Sequence, residues 1–208
     1  MVLGVLVSGS GTNLQAILDA IGAGRLDARV AVVVSNVAGA GALDRARAAG
    51  VGTLVVEHAR FPDRRAFDTA VVEALRARGV EVVVLAGFMR IVTDVLLGAF
   101  PMKVVNVHPA LLPAFPGVHA QKQALDYGVR VAGCTVHFVD GGTDTGPIIA
   151  QETVPVLEGD DEKALTARIL EKEHNLLPRA LQWLAEGRVT VEPPGPLAAR
   201  ARVRIETR

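Results

Sequence analysis

The chain lacks several features that would mark it as secreted, membrane-bound or nucleic-acid-binding. Among its 208 residues Cys134 is the only cysteine, which excludes an intramolecular disulfide and favours the cytoplasm. No apolar run approaches the ~20 residues that a membrane-spanning helix needs, and the N-terminus lacks the basic region and cleavage site of a signal peptide. The 22 basic and 22 acidic residues cancel, so no net charge attracts nucleic acid or a membrane surface. These absences favour small-molecule partners and leave both a monomer and a homodimer open.

The sequence also lacks the patterns of a serine or cysteine nucleophile site and of a metal site. No Gly-x-Ser-x-Gly motif is present and Cys134 stands inside a predicted strand, which argues against hydrolysis through a serine or cysteine nucleophile. The five histidines are scattered without the spacing of metal ligands, so we predict no metal site.

Apolar runs rich in Val, Leu and Ile alternate with helical patterns over the first half of the chain. Such runs are typical of strands that are buried on both faces of a sheet. The predicted strands cover residues 2–7, 30–35, 53–56, 80–86 and 104–107, and the predicted helices cover 13–21, 42–49, 65–77 and 92–99. The alternation implies right-handed crossovers and therefore an α/β fold, an open, mostly parallel twisted sheet with helices on both faces.

The pattern changes in the second half. A helix over 119–127 precedes two apolar runs, 131–139 and 148–156, which predict an antiparallel strand pair toward the C-terminal half. Asp160 or Asp161 can cap a long helix that runs to about residue 185, and Pro178 should kink or restart it. Residues 1–190 show no internal boundary, so we expect a single catalytic domain, followed by a loosely ordered C-terminal extension over 191–208.

The junction between the first strand and the first helix predicts an anion site. Its residues are Ser8, Gly9, Ser10, Gly11, Thr12, Asn13 and Leu14. Backbone N–H groups and the helix dipole favour a phosphate at such a position. A dinucleotide would require glycine in place of Leu14 and an acidic residue at the end of the second strand, where Ser35 and Asn36 stand. We therefore predict a single phosphate on a smaller ligand, with a glycine turn that serves only packing as the alternative.

A second ligand segment follows the fourth strand. Ligands of open α/β sheets bind outside the carboxyl ends of the strands. Phe88, Met89, Ile91 and Val92 could there form an apolar slot for a flat heterocycle, or else simply a buried turn.

The strongest chemical signal combines Asn106 and His108 with Asp144. Asn106 and His108 are two residues apart, so their side chains share one face if the strand continues. Asp144 lies in the glycine-rich segment 140–146, which can fold over the same strand ends. A carboxylate beside the imidazole would raise the pKa of His108 and keep it a cationic donor, and Asn106 would add a second donor to a developing oxyanion. This set predicts acyl transfer without a protein nucleophile.

Two further assignments stay open at this level. The glycines of segment 140–146 either allow the loop to close over a ligand or serve positive φ angles in a rigid turn. His137 is predicted to be a core histidine, with a position in the site as the alternative.

On these motifs the chain resembles the phosphoribosylglycinamide formyltransferases, a family of folate-dependent enzymes of purine synthesis with a Rossmann-like fold. The resemblance covers about residues 1–187 and is carried by segments 8–16, 85–90, 106–113 and 144–147. It implies that 10-formyltetrahydrofolate is the co-substrate, that no cofactor is tightly bound, and that no metal takes part. The amine of 5'-phosphoribosylglycinamide would attack the formyl carbon directly and give the N-formyl product on the route to IMP.

The resemblance also implies a role for individual residues. His108 would donate to the tetrahedral intermediate, Asn106 would help to hold its oxygen, and Asp144 would raise the pKa of His108. The implied contacts to phosphoribosylglycinamide are Gly11, Thr12, Asn13 and Glu173. The implied folate-binding residues are Arg64, Met89, Arg90, Ile91, Val92, Asn106, Asp140, Gly141, Gly142, Thr143 and Asp144. Leu170 departs from relatives that carry a polar residue there.

Three other functions compete with this interpretation. A formyltetrahydrofolate hydrolase would use the same trio with water, but its additional N-terminal domain has no counterpart before the strand at Val2. A methionyl-tRNA formyltransferase would need a C-terminal domain, and the ~20 residues after Gly187 are too few for one. A non-catalytic sensor on the same fold is the third alternative, because a fold alone does not determine function.

Overall fold

The computed structural model describes residues 1–194 and 200–207. The strands are β1 (Val2–Val7), β2 (Arg29–Ser35), β3 (Thr53–Val55), β4 (Val82–Leu85), β5 (Val104–His108), β6 (Val131–Phe138), β7 (Ile148–Pro155), β8 (Val189–Glu192) and β9 (Arg202–Ile205). The helices are α1 (Thr12–Gly22), α2 (Gly41–Ala48), α3 (Arg64–Arg76), α4 (Asp94–Ala99), α5 (Ala120–Tyr127) and α6 (Glu162–Ala185).

The strands form a seven-stranded sheet in the order β3-β2-β1-β4-β5-β6-β7, and β8 and β9 form a separate pair. The predicted mostly parallel α/β fold is confirmed. The chain forms two compact units, Met1–Asn106 and Val107–Arg208, which are described in turn.

In the first unit, the carboxyl ends of β1, β4 and β5 lie level with one another. β1 pairs in parallel with β2 on one side and with β4 on the other, and β4 pairs in parallel with β5. Leu6 is in register with Leu85, and Leu85 is in register with Asn106. The strand order reverses between β1 and β4, which is the switch point where ligands bind in open α/β sheets. The segments after β1 and after β4 therefore flank the same crevice.

In the second unit, β6 and β7 run antiparallel, as the sequence predicts, with Thr135 opposite Gln151. α6 packs on both strands through its apolar face. Asp161 is its N-cap. The helix continues through Pro178, so the predicted restart does not occur. Buried leucines on both sides of this proline pack inward, and tertiary packing of an apolar face supplies most of a helix's stability.

The pairing of β8 with β9 was not expected from the sequence. Val191 lies opposite Val203 in an antiparallel hairpin, and β9 also packs on β7. Residues 195–199 and 208 of the predicted extension lie outside the described part of the chain. Within the described residues, no helix is long and apolar enough to cross a membrane.

Candidate active site

His108, at the end of β5, is held by two acceptor groups. Its Nε2–H donates to the carbonyl oxygen of Phe115 at 2.8 Å, and its Nδ1 lies 3.4 Å from Asp144 Oδ2. The side chains are 5% and 14% exposed, so the pair is shielded from bulk water. Since a carbonyl oxygen can only accept, Nε2 carries a hydrogen, and Nδ1 faces the Asp144 carboxylate at ion-pair distance. The predicted approach of Asp144 to His108 is found in the structure.

A second imidazole, His137, faces the same carboxylate. Its Nε2 lies 3.6 Å from Asp144 Oδ1, and its Nδ1–H donates to the Phe138 carbonyl oxygen at 2.8 Å. Burial lowers the pKa of His137 and outweighs the attraction of Asp144 and the bond to Phe138, which raise it. His137 is therefore neutral at neutral pH.

The loop that carries Asp144 is fixed by its own polar groups and by a neighbouring segment. Asp140 Oδ1 accepts hydrogen bonds from Gly142 N–H at 3.1 Å and from Thr145 Oγ1 at 2.6 Å. Gly117 N–H donates to Asp144 Oδ2 at 2.8 Å. These bonds orient the carboxylate toward the two imidazoles.

Within the 140–146 loop, the residue with positive φ is Asp144, at 55°. The explanation of the glycines by positive φ is therefore wrong. Asp tolerates the left-handed region better than most residues. The glycines at 142 and 146 are required by close approach instead, because a Cβ there would collide with Thr145 and with the Phe138 carbonyl.

The segment that follows His108 is tied to β6 and β7. Thr135 Oγ1 donates to the Ala110 carbonyl at 2.6 Å and accepts from Leu112 N–H at 3.0 Å. Gln151 Nε2 donates to the Leu112 carbonyl at 2.9 Å. The sequence offered no local signal for Thr135 and Gln151, because their role depends on which strands become neighbours.

The predicted phosphate loop lies at the start of α1, where no side chain makes an N-cap hydrogen bond. Gly11 is the N-cap with φ 75°, and a Cβ there would come within 2.6 Å of Ala42. Packing and backbone conformation thus explain this glycine. Thr12 begins the helix, and the first-turn N–H groups of a helix have no partner within it. Arg45 of α2, which sequence reasoning missed, donates through Nε to the Ser10 carbonyl at 2.8 Å and adds positive charge beside the loop.

The segment after β4 is bonded directly to the loop after β1. Met89 N–H donates to Ser8 Oγ at 2.9 Å, and Ser8 Oγ donates to Asn36 Oδ1 at 2.6 Å. Met89 is 74% exposed and Ile91 is 62% exposed, so this edge of the crevice presents two large apolar side chains.

The comparisons with known proteins agree on one family. A formyl transferase family model matches residues 1–181. A phosphoribosylglycinamide formyltransferase of Mycobacterium tuberculosis is 49% identical over 90% of this chain and 86% of its own length. The chain belongs to the formyl transferase family.

Two other similar proteins place the chain within this family more closely. A glycinamide ribonucleotide transformylase from Symbiobacterium toebii has a TM-score of 0.95 at 55% identity, and the match covers 100% of this chain and 94% of that one. The trifunctional purine biosynthetic protein adenosine-3 of Drosophila pseudoobscura pseudoobscura is 49% identical over 88% of this chain, which spans 14% of that protein's length. The formyltransferase family predicted from the sequence motifs is confirmed.

The other residues predicted to bind folate or substrate lie in different environments. Arg90 places its guanidinium 5.1 Å from the centre of the Phe67 ring. Arg64 is exposed at the first position of α3, and Val92 is 9% exposed. Glu173, predicted as a substrate contact, is only 4% exposed on α6.

Proposed function

We propose that the chain transfers the formyl group of 10-formyltetrahydrofolate to the amine of 5'-phosphoribosylglycinamide, as a step of de novo purine synthesis. The observation that carries this proposal is the shielded pair of His108 and Asp144 at the end of β5 in a formyl transferase family member. The same pair, with Asn106 two residues before His108, suits a reaction in which an oxyanion forms and collapses.

The reaction needs no nucleophile from the protein. The substrate amine forms a bond to the formyl carbon, and the carbonyl oxygen becomes an oxyanion. His108 and Asn106 are proposed to donate to that oxygen. The bond from carbon to N10 of the folate then breaks, while a proton leaves the amine nitrogen and N10 receives one. Asp144 stabilises the cationic ring through its negative charge.

This role sets a condition on the segment after His108. The Phe115 carbonyl occupies His108 Nε2, whereas Asp144 lies at Nδ1. Donation from Nε2 to a formyl oxygen therefore requires the Phe115 carbonyl to move away when the substrates bind. Nδ1 can keep its ion pair throughout.

The substrates are assigned to two places. Gly11, Thr12 and Asn13 are proposed to bind the phosphate, since the start of α1 has no side-chain cap. Met89 and Ile91 are proposed to cover one face of the pterin. The remaining proposed contacts, carried over from the resemblance, are Arg64, Arg90, Val92, Asp140, Gly141, Gly142, Thr143 and Glu173.

A transfer assay with both substrates tests the proposed reaction. We expect the deformylated folate and the N-formyl product to form in equal amounts. Formate release from 10-formyltetrahydrofolate without the amine would instead indicate a hydrolase, and binding of either substrate without turnover would indicate a sensor. Either result would overturn the proposal.

Substitution of Asn13 by Leu tests the assignment of the two substrate places. Asn13 lies at the start of α1, where the substrate phosphate is proposed to bind, and within the substrate the phosphate is remote from the reacting amine. The KM for phosphoribosylglycinamide should therefore rise, while the affinity for folate is retained. Isothermal titration with each ligand separately gives the two affinities. If folate affinity falls instead, the two assignments are reversed.

A further inference from the structure

The C-terminal hairpin reaches the loop that carries Asp144. Arg200, half-buried and two residues before β9, donates through Nη1 to the carbonyl oxygen of Gly146 at 3.3 Å. The hairpin of β8 and β9 lies beyond residues 1–181, which the family model covers. This contact therefore joins a part of the chain beyond the region matched by the family model to the 140–146 loop.

The hairpin is anchored at the end opposite Arg200 and along β9. Glu206 N–H donates to the Arg188 carbonyl at 3.0 Å, and Arg188 Nε donates to the Glu206 carbonyl at 2.6 Å, so the hairpin is closed beyond its strands. Arg188 also pairs with Glu186 at 2.9 Å, which ties the hairpin to the residue after α6. β9 packs on β7 as well.

The 140–146 loop is also constrained near Gly146. Phe138 N–H donates to the Pro147 carbonyl at 2.9 Å, which pins the base of the loop. Gly146 lies directly against the Phe138 carbonyl oxygen, and a Cβ at position 146 would collide with that oxygen. A displacement of Gly146 is therefore passed along the backbone to Asp144, two residues earlier, rather than absorbed at the base.

We propose that Arg200 is a positioning residue for formyl transfer and that the β8–β9 hairpin acts as a clamp on the 140–146 loop. The clamp holds the folate-facing part of the loop in place before the folate binds, while the Asp144 carboxylate keeps its separate bond from Gly117 N–H. This inference rests on the proposed function, since it assigns the loop to 10-formyltetrahydrofolate. Its direct consequence is that loss of the contact weakens folate binding more than it slows the chemical step.

The test compares Arg200→Ala with Arg204→Ala in the full chain. Arg204 is the matched control because it is an exposed arginine on the same hairpin, opposite Thr190 in β8. We expect Arg200→Ala to raise the KM for 10-formyltetrahydrofolate about 3- to 10-fold, as for the loss of one long hydrogen bond from a charged donor, with kcat within about twofold. Amide hydrogen exchange over 140–146 should become faster in this variant alone, and Arg200→Lys should restore part of both effects.

Three outcomes would overturn the clamp. The first is equal KM values and exchange rates in the two alanine variants. The second is faster exchange with an unchanged KM, which would make the contact purely structural. The third is a loss of kcat with an unchanged KM. Titration with folic acid separates this inference from the proposed reaction: wild type that binds folic acid but transfers no formyl group contradicts the reaction, whereas equal folic acid affinity in wild type and Arg200→Ala contradicts the clamp.

Discussion

Asp144 lies between two buried histidines, and both rings are within ion-pair distance of its carboxylate. His137 lies in β6, and burial lowers its pKa. His108 turns Nδ1 toward Asp144 and Nε2 toward the Phe115 carbonyl, whereas His137 turns Nε2 toward Asp144 and Nδ1 toward the Phe138 carbonyl. The two rings therefore present opposite nitrogens to the same carboxylate.

His108→Ala should lower kcat for formyl transfer by about 10²- to 10³-fold, the usual loss for one oxyanion donor. The circular dichroism spectrum and the affinity for both substrates should be largely retained, because the donor acts mainly in the transition state. His119→Ala is the control, since the His119 side chain is 74% exposed. Full activity of the His108 variant would contradict the proposed mechanism.

His137 should make the stability of the protein depend on pH. Its folded-state pKa lies below the ordinary 6.5, so the unfolded chain binds this proton more readily. The stability that the neutral ring contributes is present above the unfolded pKa and is lost as the pH falls through the folded one. His137→Asn keeps an N–H for the Phe138 carbonyl but does not titrate.

Urea unfolding at about pH 7.5 and about pH 5.5 measures this contribution. The loss of stability on acidification should be smaller in His137→Asn than in wild type. His58→Asn, a change at an exposed histidine, should leave the wild-type loss intact. Equal losses in wild type and the His137 variant would contradict the assignment.

The helices differ in how their N-termini are satisfied. Asp63 caps α3, Thr93 caps α4 and Asp161 caps α6, each through a side-chain oxygen. Gly11 of α1, Ala40 of α2 and His119 of α5 cap their helices without a side-chain bond. A side-chain cap stabilises a helix in the free protein, whereas an uncapped first turn keeps its N–H groups available for an anion. The proposed phosphate position at α1 is one of these uncapped starts.

Asp161→Ala should destabilise the protein by about 1 kcal/mol, the usual effect of losing an N-cap. Asp161 Oδ1 accepts from Ala164 N–H at 2.7 Å, and alanine cannot replace that acceptor. Asp161→Asn retains an acceptor and should lose less. Chemical denaturation of the three proteins checks the order, and identical midpoints for Asp161→Ala and wild type would exclude a capping role.

Cys134 is the only cysteine of the chain, and its burial in the second unit controls whether its thiol can react. It is fully buried in β6, and burial, with the nearby Glu173 carboxylate, raises the pKa of its thiol to about 12. A thiolate is the reactive form of cysteine. This residue is therefore inert in the folded protein, and it becomes reactive only when β6 is exposed.

Chemical labelling of the Cys134 thiol should measure unfolding of the protein. At about pH 8 the buried native thiol stays protonated, so labelling by Ellman's reagent should be negligible. In guanidinium chloride one thiol per chain should react rapidly, since Cys134 is the only cysteine. Rapid stoichiometric labelling without denaturant would show that β6 opens in the native state.

Much of the fold was predictable because it depends on local pattern. Apolar runs marked β1 at its observed limits and β2 to β7 to within a few residues. The runs of β1, β4 and β5 are continuous because these strands are buried on both faces. The hairpin of β8 and β9 was missed because its strands are short and polar on one side, and pairing between them gives no local signal.

The sequence by itself determined the parallel α/β architecture, the formyltransferase motifs and the candidate set of Asn106, His108 and Asp144. Tertiary structure alone decided that His137 faces Asp144, that the Phe115 carbonyl holds His108 Nε2, and that Arg200 reaches Gly146. Periodicity and motif spacing are local properties that can be read along the chain. Hydrogen bonds between distant residues, and the burial that shifts a pKa, exist only once the strands and loops have packed.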